Sequence, residues 1–337
     1  VGDTSTGFIA PKLEYGGGGL SKWSTTGGLQ WRLRLPGDAA GLDVAVDSGG
    51  NSWVITETDC YKVSPSGSIL LAFDQSAISG AAPLNSYRRV LVDSLDNIVI
   101  SGEATTASIA GAVHTYSTTG AFLGGALFDG FTTGGDVVSM RGMALRQSDN
   151  HVFVTCYLSS GTDASVIVEF AATSGGSMAF VNNYFWSFAD SLGLLPMGAF
   201  GLAHHAGSDT CLSAYGFGGA GSPFPNGQNV VEWASDLSSW TELAPSGDFP
   251  VYNDAISVNA SRRYVHAQYA LGNPSSVNGQ FNTHVVRDYP GTLLWGANHS
   301  VHPYTTSLGA TVYGHVYDTH IFDDGKVLIG GDRMYVS

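Results

Sequence analysis

Residues 43–55, which read Asp43-Val-Ala-Val-Asp47-Ser-Gly-Gly-Asn51-Ser-Trp-Val-Ile55, decide the fold class of this chain. Apolar and polar residues alternate on both sides of a short segment rich in Asp, Gly and Asn. Alternation with a period of two is typical of a β-strand, and Asp, Gly and Asn favour tight turns. The stretch therefore predicts two antiparallel strands joined by a hairpin turn.

This pattern recurs along the whole chain. It returns as Arg89-Val-Leu-Val-Asp93-Ser-Leu-Asp-Asn97 and again over residues 142–153, with weaker copies further on. In this alignment six turn positions are 46 to 64 residues apart: Asp47, Asp93, Arg146, His205, Asn259 and Asp323. A repeat of this length is typical of propellers and other repeat folds.

A second pattern alternates with the first. Residues 62–71 read Lys62-Val-Ser-Pro-Ser-Gly67-Ser-Ile-Leu-Leu71, a strand, a turn closed by glycine, and another strand. Further copies begin at Lys22, Thr115 and Val286, and degenerate ones at Glu169, with Ser174-Gly175 as its turn, and Glu232. Each repeat thus holds four short strands, and the chain is predicted to be an all-β, six-bladed β-propeller with four antiparallel strands per blade.

The spacing also predicts how the chain is divided. We expect a single domain, 1–337, with closing strands in 1–35 and blades at about 36–85, 86–137, 138–196, 197–250, 251–306, and 307–337 plus the N-terminus. N- and C-terminal strands then share one blade, which leaves no blade edge exposed. Because Leu20–Trp23 and Asp332–Ser337 both resemble third strands, seven blades are the alternative; a β-sandwich or β-helix would also use such strands.

The composition excludes several other classes. Only 12% of residues are charged, against about 25% in ordinary soluble proteins, and 45 residues are glycine. Long helices need charged residues on their exposed faces, so a helical bundle is excluded. A hydrophobic share of 43% excludes a disordered chain. The formal net charge of −14 disfavours binding to nucleic acid.

Targeting signals and cysteines are sparse. Residues 1–6 carry neither a basic nor an apolar segment, so no signal peptide is expected there, and no stretch approaches the roughly 18 apolar residues of a membrane span. Cys60, Cys156 and Cys211 are far apart in sequence. This spacing favours three free, buried thiols over one disulfide and one free thiol.

The repeat carries a resemblance to known propellers. Asp47 with Asn51, and Lys22 followed by Gly27 and Trp31, resemble blades of the quinoprotein-like and NHL-like repeats. With its low charge and many glycines and serines, the chain also resembles the propellers found in bacteriophage virions. The resemblance covers nearly the whole chain and implies a propeller fold. It lies in structural positions, so it implies no catalytic residues.

Candidate ligand-binding residues follow from the propeller. The first residues of the innermost strands surround the mouth of the channel, and three of the chain's 14 basic residues fall there. The pattern predicts either salt bridges at the rim or a pocket for an anionic or sugar-like ligand. The candidates are Asp43, Arg88, Arg89, Arg141, Asp254 and Asp318.

A metal site is a weaker hypothesis. His299, His302 and His320, with Asp318 near them, include residue types that bind transition metals. Histidines in strands more often pack and form hydrogen bonds. No P-loop, His-Glu-x-x-His or Gly-x-Ser-x-Gly motif is present, so neither a catalytic residue nor a cofactor is predicted.

These features favour a non-enzymatic structural or binding propeller of an extracellular assembly. The resemblance points to a phage virion component such as a tail, fibre or capsid-surface protein, located in the virion or outside the cell. Expected partners are other structural proteins of the assembly, in a homo- or hetero-oligomer, or a cell-surface glycan. The alternatives are a secreted propeller enzyme that acts on carbohydrate at the channel mouth, and a quinoprotein-like scaffold factor.

Overall fold

The structure is a computed structural model, and almost all of its described part is β-strand. It describes residues 8–14, 17–24, 28–75, 84–105, 109–128, 137–159, 164–186, 195–218, 228–246, 251–252, 256–270, 282–290, 292–299, 304–305, 311–312, 316–325 and 327–331. Helical structure in these ranges is limited to a short 3-10 turn at Pro36–Asp38 and the single residue Gln75. The all-β prediction is confirmed, and no helix in the described ranges has the length and apolarity to cross a membrane.

The N-terminal strands form a three-stranded antiparallel sheet: β1 (Phe8–Glu14), β2 (Gly17–Trp23) and β3 (Leu29–Arg34). Strand β2 is hydrogen-bonded to β1 along one edge and to β3 along the other. The two edge strands of this sheet are therefore β1 and β3. The blade shared between the two termini stays a prediction.

The first two repeats are four-stranded antiparallel sheets, as predicted. Sheet 1 contains β4 (Asp43–Val46), β5 (Ser52–Ile55), β6 (Asp59–Val63) and β7 (Ile69–Asp74). Sheet 2 contains β8 (Leu84–Val92), β9 (Ile98–Thr105), β10 (Ile109–Tyr116) and β11 (Phe122–Phe128).

The third and fourth repeats have the same order of strands. Sheet 3 contains β12 (Val137–Arg146), β13 (His151–Ser159), β14 (Ala164–Ala172) and β15 (Met178–Trp186), and one parallel pair, Ile109 with Val137, connects it to sheet 2. Sheet 4 contains β16 (Leu195–His205), β17 (Thr210–Gly218), β18 (Gln228–Trp233) and β19 (Trp240–Ser246).

The fifth sheet has a divided first strand, since β20 (Val251–Tyr252) and β21 (Ile256–Val258) both pair with β22 (Tyr264–Ala270). Strands β23 (Asn282–Asp288) and β24 (Thr292–His299) complete it. Two hairpins follow: β25 (Tyr304–Thr305) with β26 (Thr311–Val312), and β27 (Val316–Ile321) with β28 (Val327–Gly331).

The chain divides into two compact units, which do not follow the sheet boundaries. Unit 1 consists of Val1–Val154 and Val168–Val181, and unit 2 of Thr155–Ile167 and Asn182–Ser337. The single domain and the blade ranges expected from the sequence stay predictions.

Asp47 organises the hairpin turn of sheet 1. Its carboxylate accepts hydrogen bonds from the backbone and side chain of Asn51 and from Nε1 of Trp53. The Lys62 ammonium lies 3.5 Å from the same carboxylate, and Asp47 is buried. Burying a charge is costly unless it is paired and hydrogen-bonded, and this turn satisfies both conditions.

Two turn assignments made from the sequence differ from the structure. Gly325 donates its backbone N–H to the carbonyl of Phe322, as Gly50 does to that of Asp47, so Phe322 and not Asp323 is the turn residue of the last copy. In sheet 3 the closing glycine is Gly176, which donates to Thr173, rather than Gly175. The turns after Arg146 and His205 are also one residue longer than the turn after Asp47.

Two physical reasons explain why the second pattern has glycine at the end of its turn. Gly67 has a φ of 89°, which an L side chain rarely adopts. A Cβ atom there would also lie 2.9 Å from the Trp31 ring, whose Nε1 donates to the carbonyl of Pro65. The turn of sheet 1 thus packs directly on the N-terminal sheet.

The hairpin turns of neighbouring repeats are linked by hydrogen bonds from the backbone of one turn to a side chain of the next. In unit 1 the backbone N–H of Ser48 donates to Asp96 at 2.8 Å, and that of Ser94 donates to Asn150 at 3.0 Å. In unit 2 the backbone N–H of Ala260 donates to Asp323 at 3.0 Å. The turn of one repeat therefore caps the turn of the repeat before it.

The prediction of three free cysteines is confirmed. Cys60, Cys156 and Cys211 are all free and buried. Burial raises the pKa of the Cys60 and Cys156 thiols, so both stay protonated and act as small apolar core residues.

Candidate ligand site at the rim of the inner strands

The inner strands of sheets 1 to 3 are β4, β8 and β12. We call the end at which they start the rim end, and the end that carries the hairpin turns the turn end. Asp43 accepts a hydrogen bond from the backbone N–H of Val90 at 3.0 Å, which joins β4 to β8. Arg89 Nε donates to the carbonyl of Arg141 at 2.7 Å, which joins β8 to β12. Four of the six predicted rim residues are therefore brought together in unit 1.

A β-bulge places the two neighbouring arginines of β8. Tyr87 pairs with Gly102 and Arg89 pairs with Ser101, so Arg88 is an extra residue with no partner of its own in β9. Bulges bend a strand and re-aim its side chains, and they are common beside functional sites. Inner strand β16 of sheet 4 has a bulge at the matching position, Phe200, between the pairs Ala199–Tyr215 and Gly201–Ala214.

Gly102 allows the irregular part of β8 to approach β9. A Cβ atom on Gly102 would lie 2.2 Å from the carbonyl oxygen of Ser86, a distance that no side chain tolerates. The glycine thus permits the contact that brings Ser86 and Arg88 over Glu103.

Arg88 and Glu103 form a two-pronged ion pair. Arg88 Nε donates to Oε1 of Glu103 at 3.1 Å and Nη2 donates to Oε2 at 2.9 Å, while the Ser86 hydroxyl donates to Oε2 at 3.0 Å. The hydrogen bonds with Glu103 raise the pKa of Arg88; burial opposes them, and the charges of Glu103 and Glu57 add to the rise. Paired in this way, the Arg88 fork and the Glu103 carboxylate satisfy each other.

Glu57 lies beside this pair, in the connection between β5 and β6. Its backbone carbonyl accepts the N–H of Tyr87 at 2.8 Å and the side-chain amide of Gln75 at 3.0 Å. The Glu57 side chain is exposed. Its backbone is thus fixed to β8 while its carboxylate faces solvent.

The site has no excess of positive charge. It contains two guanidinium groups, on Arg88 and Arg89, and three carboxylates, on Asp43, Glu57 and Glu103, while Arg141 contributes its backbone carbonyl. The sequence suggested a local positive patch because only the arginines and Asp43 fall in the aligned positions. Glu57 and Glu103 were missed because one lies in a connection and the other in a second strand.

The other predicted site residues fall at or beyond the limits of the described part. Asp254 and His302 lie outside the described residues, and for Asp318 and His299 only the backbone is described, in β27 and β24. His320 lies against the Phe322 ring, with 4.6 Å between ring centres. The described ranges contain no group of three His, Cys, Asp or Glu residues that could hold a metal. The rim residues of unit 2 and the metal site therefore stay predictions.

Comparisons with known proteins support a propeller-type fold. No family model and no curated protein matches the sequence. The chain is similar to a protein of unknown function from Bacteroides caccae, with 12% identity over 88% of this chain and 95% of that one and a TM-score of 0.51. It is also similar to a luciferin-regenerating enzyme, with 12% identity over 86% and 90% and a TM-score of 0.50. These similarities concern the fold alone, which is of the β-propeller type.

Proposed function

We propose that this chain is a non-enzymatic binding propeller of an extracellular assembly, and that the rim end of β4, β8 and β12 is its ligand-binding surface. The observation that carries the proposal is the convergence of Asp43, Arg88, Arg89 and Arg141, which come from three different repeats. The assembly suggested by the resemblance of the sequence is a phage virion, and the ligand class is a glycan. The low share of charged residues fits such a surface-exposed structural protein.

The rim supports binding better than catalysis. General acid–base chemistry needs a carboxyl group or another proton carrier that can exchange a proton with substrate. Glu103 is held by Arg88 and Ser86, and Asp43 by two backbone N–H groups. Both carboxylates thus act as structural acceptors, so Glu57 is the one exposed carboxylate at the described rim, whereas glycoside hydrolysis needs a pair. Arg89, which uses only Nε within the protein, can donate hydrogen bonds to ligand oxygens.

A glycan array tests the proposal. Wild type should bind a subset of glycans, and Arg88→Ala/Arg141→Ala should lose at least tenfold in affinity. Arg32→Ala/Arg34→Ala, which removes the same charge from exposed positions in β3, is the control and should bind like wild type. Equal binding by all three proteins, or none by any, would overturn the proposal. Release of shortened sugars on incubation would support the carbohydrate-active enzyme instead.

We further propose six blades, with β27 and β28 in the same blade as the N-terminal sheet. The support is the spacing of the repeats, together with the free edge of β1 among the described strands. Deletion of residues 1–35 should then expose a sheet edge and cause aggregation or unfolding. A truncated protein that keeps the melting temperature of the full chain would contradict this closure.

A further inference from the structure

The arginines at the rim have different donors left for a ligand. Arg88 uses Nε and Nη2 on Glu103, whereas Arg89 uses only Nε, on the carbonyl of Arg141. Among the described residues, the terminal nitrogens of Arg89 have no acceptor. Its guanidinium is therefore anchored at Nε, and two parallel N–H groups remain at its far end.

The carboxylates beside these arginines restrict which anion can bind. Asp43, Glu57 and Glu103 offset the charge of the Arg88 and Arg89 guanidinium groups, so the site has no excess positive charge to attract a polyanion. A phosphate or a sulfated chain would bring several negative charges close to these carboxylates, which is unfavourable. A ligand with one carboxylate can approach Arg89 with less repulsion.

Glu57 adds a second kind of contact. Its backbone carbonyl accepts the N–H of Tyr87, two residues before Arg89 in β8, at 2.8 Å, and its exposed carboxylate is an acceptor only. The charge of Glu57 also contributes to the raised pKa of Arg88. Such a carboxylate binds hydroxyl donors, and a sulfate dianion has none. The pair of Arg89 and Glu57 thus fits a molecule that carries one carboxylate and several hydroxyls.

We propose that the rim site recognises a sugar acid: Arg89 holds the carboxylate end-on through its two terminal nitrogens, and Glu57 accepts hydrogen bonds from the ring hydroxyls. The Arg88–Glu103 pair forms one fixed side of the site: Arg88 does not bind the anion itself, but without it the unpaired Glu103 carboxylate would repel the ligand. This proposal rests on the proposed function, since it names the ligand class and the roles of residues at the same surface.

Calorimetric titration with glucuronate, glucose and inorganic sulfate as probes tests the assignment. Wild type should bind glucuronate at least tenfold more tightly than glucose or sulfate, because glucose has no carboxylate for the Arg89 fork and sulfate brings a second negative charge towards the carboxylates of the site. Arg89→Gln keeps a donor for the Arg141 carbonyl and should lose at least tenfold for glucuronate only. Glu57→Gln should weaken glucuronate and glucose alike by about threefold to tenfold.

Two further variants keep the test decisive. Arg89→Lys retains the charge but not the fork, and it should lose the preference for glucuronate even if Arg89→Gln does not fold. Arg34→Ala removes a charge from β3 and should bind within twofold of wild type. Tighter binding of sulfate, or unchanged binding by both Arg89 variants, would overturn the sugar-acid assignment while the glycan array still supports a ligand site. Absence of binding by wild type to any probe and to the array would overturn the proposed function itself.

Discussion

The two ends of the inner strands differ in how closely one repeat resembles the next. At the turn end Asp93 binds the backbone and side chain of Asn97 just as Asp47 binds those of Asn51. At the rim end the contacts differ from residue to residue. Asp43 accepts a hydrogen bond from the backbone of β8, Arg88 donates to Glu103, and Arg89 donates to a backbone carbonyl of β12 in the next repeat. The difference indicates that the turn end holds the fold together, while the rim end is where each repeat carries its own chemistry.

Of the changes considered, removal of the Asp47 carboxylate at the turn end should lower the stability of the protein most. Asp47→Ala leaves Lys62, Trp53 and Asn51 without their shared acceptor in a buried place, which should cost about 3–5 kcal/mol of unfolding free energy. Chemical denaturation measures it. A loss below 1 kcal/mol would mean that the turn end does not hold the fold.

The pH dependence of stability tests the role of buried His114 in sheet 2, which lies between the turn end and the rim end. Burial lowers the pKa of His114 to about 4 from its usual 6.5, so the unfolded chain takes up the proton more readily than the folded one. The stability that neutral His114 contributes is complete above pH 6.5 and is lost as the pH falls towards 4, about 3 kcal/mol in all.

Denaturation at pH 7, 6, 5 and 4 should show this loss in wild type and a flatter profile in His114→Phe. Leu95→Ala, which changes an exposed residue that cannot titrate, is the control and should keep the pH profile of wild type. Parallel profiles for wild type and His114→Phe would show that His114 is not responsible.

The glycine of the turn at 64–68 should have an intermediate effect. Gly67→Ala forces a Cβ atom towards the Trp31 ring at a φ of 89°, which should cost about 1–3 kcal/mol. Gly175→Ala is a matched control, because nothing lies within 4 Å of its Cβ position. Melting curves in which both variants match wild type would remove the steric explanation.

At the rim end a comparable change should cost less. Arg88→Met removes an ion pair whose arginine side chain is 38% exposed, so the expected loss of stability is about 1 kcal/mol or less. A loss as large as that of Asp47→Ala would show that the rim is as structural as the turn end.

The smallest effect should come from a contact between turns. Asp96 accepts bonds from the side chain and backbone of Ser48, which lower its pKa. Its contribution is present above the usual pKa of 3.8 and is lost as the pH falls through the lowered value. Asp96→Ala should therefore lower the free energy of unfolding by under about 1 kcal/mol at pH 7. In strong acid, where Asp96 is protonated, the variant and wild type should be equally stable, and a difference that persists at pH 2 would contradict this.

The sequence predicted the turn end better than the rim end, for physical reasons. Asp47, Asp93 and Gly67 occupy positions where backbone geometry restricts the residue type, so the pattern is visible in every good copy. Phe322 was misassigned because it is not one of the residues that favour turns. Glu57 and Glu103 could not be found, because their role depends on contacts between strands that the repeat does not encode.

The bonds from Ser48 to Asp96 and from Ser94 to Asn150 all point from an earlier repeat to a later one. During synthesis on the ribosome, the turn of sheet 1 therefore waits for a partner that emerges 48 residues later. At about 5–20 residues per second, that delay is roughly 2–10 s. The turns of sheets 1 and 2 thus each lack one hydrogen-bond acceptor until the turn of the next repeat leaves the exit tunnel, so these two bonds form in the order of translation.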